Sequence, residues 1–337
     1  MKLRLFATFA ALVALPAVTQ AQTKDASLIV GQGRHTYRWQ KDWLKLPAGM
    51  TVGQTHGDVV IDRQGHVIFS TDTNNAIVVA EPDGRISKVW GHNLGGGSHG
   101  LRLAMEGNTE VLWVAHLKRH AAIKFSLDGR ELMSIPYPTA NGMYKNAEEY
   151  LPTALDVAPN GDIYVVDGYG RFWLHRFDAK GQWLQSWNGS AREGGAFKEP
   201  HGVGLDLRGP EPRVVVADRQ NHRLQLFTLN GDFVSAVTED LRRPSKVVTQ
   251  GDSLLVVDLE GRVSIFDKDF KVVAQLGDNE NPDLRGKYDV APDKWKDGQF
   301  TAPHGAAWDK DGNLYVEDWN AHGRVSKLVR VRKGAAK

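Results

Sequence analysis

The chain contains no cysteine. Neither a disulfide framework nor a thiolate metal centre is open to it, so any metal site must be built from histidine and oxygen donors. Long apolar runs are scarce as well. The one that stands out, Leu5 to Val18, follows the basic residues Lys2 and Arg4 and leads to small residues ending at Ala21. It falls short of the roughly 20 residues that a membrane-crossing helix needs, and no later run approaches that length. Basic head, apolar stretch and small-residue end together form the pattern of a cleaved secretory signal over residues 1–21, which predicts a periplasmic or secreted protein with one domain over residues 22–337. An excess of one charge sign is also missing. Lys and Arg number 42 against 40 Asp and Glu, and loss of Lys2 and Arg4 leaves 40 against 40. With no basic block, nothing in the charge pattern calls for nucleic acid. A disulfide-free exported protein must hold itself together by burial, for which about 300 residues are enough.

Little in the chain has helical periodicity; a repeat of short Val/Ile/Leu-rich runs takes its place. HVIFSTD ending at Asp72, VLWVAH at His116, DIYVVD at Asp167, RVVVAD at Asp218, SLLVVD at Asp258 and NLYVED at Asp318 set six units, 40 to 60 residues apart. Each has another apolar run before it, and each except the last has two more after it. The turns between them are PDG, LDG, PNG, LNG and KDG, the chemistry of strand-to-strand hairpins. Four antiparallel strands per unit and six units predict an all-β, six-bladed propeller. The alternative, a β-solenoid, uses much shorter units. The sixth unit is short of its outer strand, and TYRWQKDWLKL near the N-terminus is expected to supply it, which would close the ring and remove its edges.

In such a blade the start of the first strand, the end of the second and the link from the preceding blade lie on one face. Overlaying the six units at the start of the first strand gives one slot, occupied by His56, His99, Thr153, His201, Ser245 and His304. A single histidine there could simply cap a strand or fill a turn, with the flanking Pro and Gly of PHG as turn chemistry. Four converging on one axis suit a divalent transition metal. Zinc accepts neutral imidazole and takes three histidines with an open position in catalytic sites, and copper, iron or nickel would also accept them.

The same face collects other chemistry. Tyr169 in VVDGYG lies just beyond a second strand and could act as a general base if a cation lowered its pKa, or could be an aromatic packed on the rim. Arg219 in VADRQNHR could clamp a carboxylate, or pair with Asp167 or Asp218. Two long links, residues 137–150 and 278–298, arrive there as possible binding loops or as plain insertions; Arg285, Lys287 and Trp295 lie in the second. His222 and Arg223 enter a third strand and read as architectural. His35, His66, His92, His116, His120, His175 and His322 read as rim or turn residues, with His116 set apart because it replaces the aspartate of the other five second strands.

The run DRQNHRLQLF and the repeat resemble NHL-repeat proteins over essentially the whole chain after the signal. PHG at 200–202 and 303–305, SHG at 98–100, DGY at 167–169 and ADRQNHRLQ at 217–225 resemble, more narrowly, the peptidyl-α-hydroxyglycine α-amidating lyases. That resemblance implies zinc on the propeller axis at His99, His201 and His304, Tyr169 as the base for the substrate hydroxyl, and Arg219 as a cation on the substrate side. The implied reaction splits a carbinolamide into an amide and glyoxylate. Two departures bear on it. Thr71 and Asp72 stand where the family has an arginine, and Gly305 stands where it has an aspartate that contributes to a structural calcium. His56 is an extra axial histidine, with Asp58 as a possible carboxylate nearby. Two further readings stay open: a non-catalytic propeller with a structural metal, binding a peptide, glycan or protein on its loop-bearing face, and a lactonase. The lactonase reading is weakened because its calcium is held by Glu and Asn/Asp in slots that here hold His, Thr and Ser.

Overall fold

The computed structural model describes residues 28–139, 142–190 and 195–332; the expected signal, residues 1–21, lies outside them. The described strands form six sheets around one axis, plus a two-stranded ribbon of Gly189–Ser190 and Gly195–Ala196. Blades 1 to 5 are meanders of four antiparallel strands over residues 59–90, 98–136, 154–187, 200–237 and 244–276. Second strands read as nearly unbroken apolar runs because neighbouring blades cover both of their faces. Between blades 1 and 2, for example, Ile77, Trp90, Leu101, Leu112 and Ile123 pack into one buried cluster.

Blade 6 closes the ring as the sequence predicts. Pro303–Trp308, Leu314–Asp318 and Arg324–Arg330 are followed outward by His35–Gln40, with Tyr37 opposite Arg330 and Trp39 opposite Leu328. The N-terminal strand is shorter than TYRWQKDWLKL. Beyond Gln40 the chain turns away to blade 1, where Trp43 is buried and its Nε1 donates to Pro82 O at 3.0 Å. Ile29–Gln32 adds a fifth strand outside it, which the sequence did not reveal.

The aspartate that ends most second strands ties the incoming link to the blade. Asp218 Oδ1 accepts from Lys198 N at 2.7 Å, Asp258 Oδ1 from Arg242 N at 2.8 Å, and Asp318 Oδ1 from Ala302 N at 2.7 Å. An arginine entering the third strand balances each buried charge; Arg223 Nε meets Asp218 Oδ2 at 2.7 Å. This is the architectural role expected for Arg223. His116 does the same work as a neutral group in blade 2, accepting from Arg119 N through Nδ1 at 3.1 Å and facing Leu94 O through Nε2 at 3.1 Å.

His35, His116 and His175 are buried rather than on the rim. The cause at His175 is the link of residues 137–150, whose Tyr144 folds over blade 3. Its hydroxyl donates to Asp167 Oδ2 at 2.8 Å and lies 2.7 Å from His175 Nε2, and His175 Nδ1 reaches Ser186 Oγ at 2.6 Å. Tyr144 and Tyr150 are both buried, so this part of the link is blade core and not a binding loop.

Burial pushes His175 down to about 3. An unfolded histidine, near 6.5, binds a proton that the folded one refuses across that interval. The unfolded state then holds more protons, so this residue's contribution is lost as pH falls through 6.5. Asp258, pushed up to about 6 by burial, acts in the opposite sense. The expected outcome is therefore a difference: His175→Asn loses less stability than wild type between pH 6.5 and 4 in urea unfolding. Equal losses would mean that His175 titrates normally in the fold.

Candidate metal and catalytic centre

The histidines of blades 2, 4 and 6 reach the axis through β-bulges. Strand pairing passes from Ser98 to Gly100, from Pro200 to Gly202 and from Pro303 to Gly305, leaving His99, His201 and His304 outside the ladder; Ser245 sits in the matching bulge of blade 5. A bulge re-aims a side chain, and here it aims three imidazoles inward. Each is held by the inner strand of the next blade. His99 Nδ1 lies 2.7 Å from Thr153 O, His201 Nδ1 2.9 Å from Ser245 O, and His304 Nδ1 2.7 Å from Gly57 O. A carbonyl only accepts, so each Nδ1 carries the hydrogen and each Nε2 keeps a bare lone pair toward the axis.

The glycine of each His-Gly pair makes that bond possible. A Cβ at Gly100 would stand 2.5 Å from Thr153 O, at Gly202 2.4 Å from Ser245 O, and at Gly305 2.6 Å from Asp58 Cα. These glycines lie within strands with ordinary φ, so their task is close approach of two blades and not the turn chemistry read from the sequence.

The bare nitrogens crowd together. His201 and His304 bring Nε2 to within 3.2 Å of each other, and the ring centroids of His99, His201 and His304 are 4.7 to 4.8 Å apart. Burial and then neighbouring charges push all three well below the usual histidine range, so a shared proton does not relieve the contact. Backbone-tethered neutral imidazoles with converging lone pairs fit a small divalent ion with nitrogen preference.

His56 is placed differently. Its side chain is 22% exposed and its Nδ1 faces Asp72 Oδ2 at 3.6 Å rather than a backbone carbonyl. His56, His99 and His304 can each offer a nitrogen with all three atoms within 4.8 Å of one another. His99 and His304 are thus common to either triad, with His56 and His201 at the two ends of the cluster.

Tyr169 caps the cluster. Its hydroxyl lies 3.0 Å from His201 Nε2 and 3.3 Å from the Nε2 atoms of both His99 and His56. Both terminal nitrogens of Arg219 stand 3.5 Å from the same oxygen, and the guanidinium lies 5.4 Å from the ring centroid. Burial pushes the phenol above 10, while the Arg219 charge opposes that shift. Arg219 pairs with neither Asp167 nor Asp218, which are engaged by Tyr144 and Arg223; it pairs with Glu199, a residue the sequence did not bring forward.

Tyr169 and Arg219 belong to an outer ring. The N–H groups of Asp72, Leu117, Tyr169, Arg219, Leu259 and Trp319 donate to the carbonyls of Gln54, Gly97, Leu151, Glu199, Arg243 and Ala302, at 2.7 to 3.3 Å. Asp72 is therefore one step later than its sequence alignment with Asp167 and Asp218 implied. Buried Thr71 stands at the aspartate position, and its hydroxyl bonds Thr73 Oγ1 and Asn75 O within its own turn rather than the incoming link. Trp319 stacks on His56 at 5.7 Å, and Tyr288, from the link of residues 278–298, stacks on Trp319 at 5.0 Å. That link does reach the site, through Tyr288. Trp295 instead packs against Arg324.

Asp58 does not join the histidines. Deeper in the channel it pairs with the Lys246 ammonium, accepts from Leu101 N at 3.2 Å and from Val59 N at 2.9 Å, and Lys246 Nζ also faces Leu101 O at 3.4 Å.

No protein-family model matches the chain. Among curated proteins it is 29% identical to the human NHL repeat-containing protein 3 over 246 residues, covering 68% of this chain and 69% of that protein. It is 28% identical to peptidyl-alpha-hydroxyglycine alpha-amidating lyase 1 of Drosophila melanogaster over 337 residues, covering 88% of this chain and 60% of the lyase. A probable lyase of the same name from Caenorhabditis elegans is 30% identical over 172 residues, 48% of this chain and 47% of the relative. Among solved structures, virginiamycin B lyase from Staphylococcus aureus superposes with a TM-score of 0.59 at 14% identity, covering 88% of this chain and all of that one. A gluconolactonase from Xanthomonas campestris gives 0.60 at 12%, covering 90% and 95%. At such identities these two show the shared propeller fold alone.

Gly202→Ala should destabilise the protein by about 1–3 kcal/mol, the usual cost of forcing extra atoms into a packed site. The shift in denaturant midpoint measures it. An unchanged midpoint would mean that blades 4 and 5 are not in the close contact that holds His201.

Proposed function

We propose that this six-bladed propeller, homologous to proteins named peptidyl-α-hydroxyglycine α-amidating lyase and NHL repeat-containing protein, is a zinc-dependent lyase for α-hydroxyglycine amides or closely related small carbinols. The observation that carries the reading is the coincidence of three backbone-tethered, bare imidazole nitrogens with one tyrosine hydroxyl and one arginine. His99, His201 and His304 would hold the ion, and His56, turned to Asp72, would support the cluster from its exposed end. A bound zinc ion would supply Lewis-acid polarisation and favour ionisation of nearby oxygens.

The chain's own residues then divide the work. Arg219 favours the Tyr169 phenolate over the phenol, because its cation stands beside the oxygen in a half-buried site. Tyr169 Oη takes the proton of the substrate hydroxyl. The O–H electron pair becomes the carbonyl of glyoxylate, the carbon–nitrogen bond breaks, and its pair goes to the amide nitrogen, which takes up a proton. Trp319, Tyr288 and His56 form an aromatic wall against bulk water on one side.

Calcium does not fit the axis beneath the histidines. Lys246 already places an ammonium against the Asp58 carboxylate there, and Gly305 contributes no oxygen ligand from a side chain. Burial pushes the Asp58 carboxyl up and the lysine opposes it. We take Lys246 as the internal cation of this propeller.

A second reading has equal sequence support, since the similarity to NHL repeat-containing protein 3 matches that to the lyase and that name asserts no reaction. Under it the protein is a non-catalytic propeller whose histidines hold a structural metal and whose open face binds a protein or peptide.

Metal analysis of purified protein followed by glyoxylate release from α-hydroxyhippurate separates the two. The lyase reading expects about one zinc per chain, glyoxylate release, and a fall of about 10²–10⁴-fold in Tyr169→Phe with its metal retained. Tight zinc binding without glyoxylate would leave the second reading. His99→Ala, His201→Ala and His304→Ala should lose the metal, His56→Ala should weaken it, and His222→Ala should keep it; metal retained in all of the first three refutes the assignment. Lys246→Met should cost about 3–5 kcal/mol, because Asp58 is left buried and unpaired. A calcium-selective chelator should leave the wild-type melting temperature unchanged.

A further inference from the structure

The mouth above the histidines holds a cation that none of these roles uses. Arg243 stands two residues before Ser245, as Glu199 stands two residues before His201. Both precede a proline and both have left-handed backbones, with φ of 58° and 63°. Neither residue type adopts that region readily, so the surrounding structure must hold it there. It does so identically: the carbonyl of each accepts the N–H of an outer-ring residue, Arg219 in blade 4 and Leu259 in blade 5. The fixed backbone sets the direction in which the side chain leaves. Blade symmetry then carries Arg243 to the place that Glu199 takes, one blade further round the same mouth.

The two differ in what they meet. Glu199 reaches Arg219. Among the described residues the Arg243 guanidinium makes no hydrogen bond and no ion pair, and its Nε is buried without a partner. Its neighbour Arg242 is engaged by Asp278 at 2.6 Å. Both terminal nitrogens of Arg219 stand 3.5 Å from the Tyr169 hydroxyl, and Arg243 holds the equivalent of the Glu199 position on the adjacent blade, so Glu199 neutralises only one of the two guanidiniums of this part of the mouth. A half-buried guanidinium without an acceptor is costly, and a planar carboxylate is the group that its fork of donors matches.

We propose that Arg243 is the anchor for a carboxylate on the ligand, so that the site selects small α-hydroxy carboxylates and seats their hydroxyl at Tyr169. Asp72, on the opposite blade beside His56, repels an acid placed on that side. The acid end therefore points to blades 4 and 5, and the remainder of the ligand lies toward Asp72, Trp319 and Tyr288. The identity of the ligand rests on the lyase reading; the existence of the anion site does not.

Calorimetric titration of the metal-loaded protein with mandelate and with mandelamide tests this, because the two share hydroxyl and ring and differ in the charge. Wild type should prefer the acid by at least about tenfold. Arg243→Gln should lose that preference, on the order of 10–100-fold in affinity for mandelate, with metal content unchanged. Arg243→Lys, which keeps the charge and loses the fork, should retain part of it. A wild type that does not prefer the acid, or an Arg243→Gln protein that keeps the preference, overturns the inference. A protein that binds the acid through Arg243 and yet releases no glyoxylate keeps the anion site and loses the reaction.

Discussion

The interaction on which the rest depends is an imidazole N–H to a backbone carbonyl across a blade boundary. It occurs three times, joining blade 2 to 3, blade 4 to 5 and blade 6 to 1. Each bond requires a bulge to release the histidine from its own ladder and a glycine to let the next blade come close. Each also fixes which nitrogen carries the hydrogen, and so which one faces the axis. Packing and chemistry are thus set by one contact: the bonds that pair the blades also leave the lone pairs bare.

Around that contact the charges form layers. At the mouth, Glu199, Arg243 and Asp72 remain partly reachable by water, while Arg219 is buried between Glu199 and Tyr169. Beneath the histidines, Lys246 and Asp58 are enclosed and hold only each other and the adjoining backbone. Glu317 is buried beside them, its carboxyl pushed well above the usual carboxylate range by desolvation and by Asp58, and it accepts from Gly57 N at 3.1 Å. Below the histidines Lys246 and Asp58 compensate each other, while the guanidinium of Arg243, with its Nε unpartnered, belongs to the open end.

Strand spacing and turn residues made the propeller legible, because period and hairpin chemistry are local. The slot histidines were legible for the same reason: PHG and SHG repeat at fixed phase. What escaped depends on contacts between distant segments. Nothing near Gly202 in the chain reveals that Ser245 O would collide with a side chain there. The alignment of Asp72 slipped because Thr71 stands at the aspartate position of the first blade, and only the hydrogen bond to Gln54 O shows the true phase. His175 looked peripheral until Tyr144 folded across it. Glu199 and Arg243 carried a signal that went unused: a charged residue before the proline of the slot, in two consecutive repeats.

Closure of the ring has a consequence for how the centre comes into being. The strand His35–Gln40 precedes blade 1 in the chain but pairs with Arg324–Arg330 in blade 6, and Thr55 bridges to Asn320 beside it. His304 meets Gly57 O only across this junction. A partly assembled array of blades would therefore present His99 and His201 without the third imidazole, and the full donor set exists only in the closed molecule. Any ligand that needs all three draws its affinity from the same equilibrium that closes the ring, so occupancy and global stability are linked quantities.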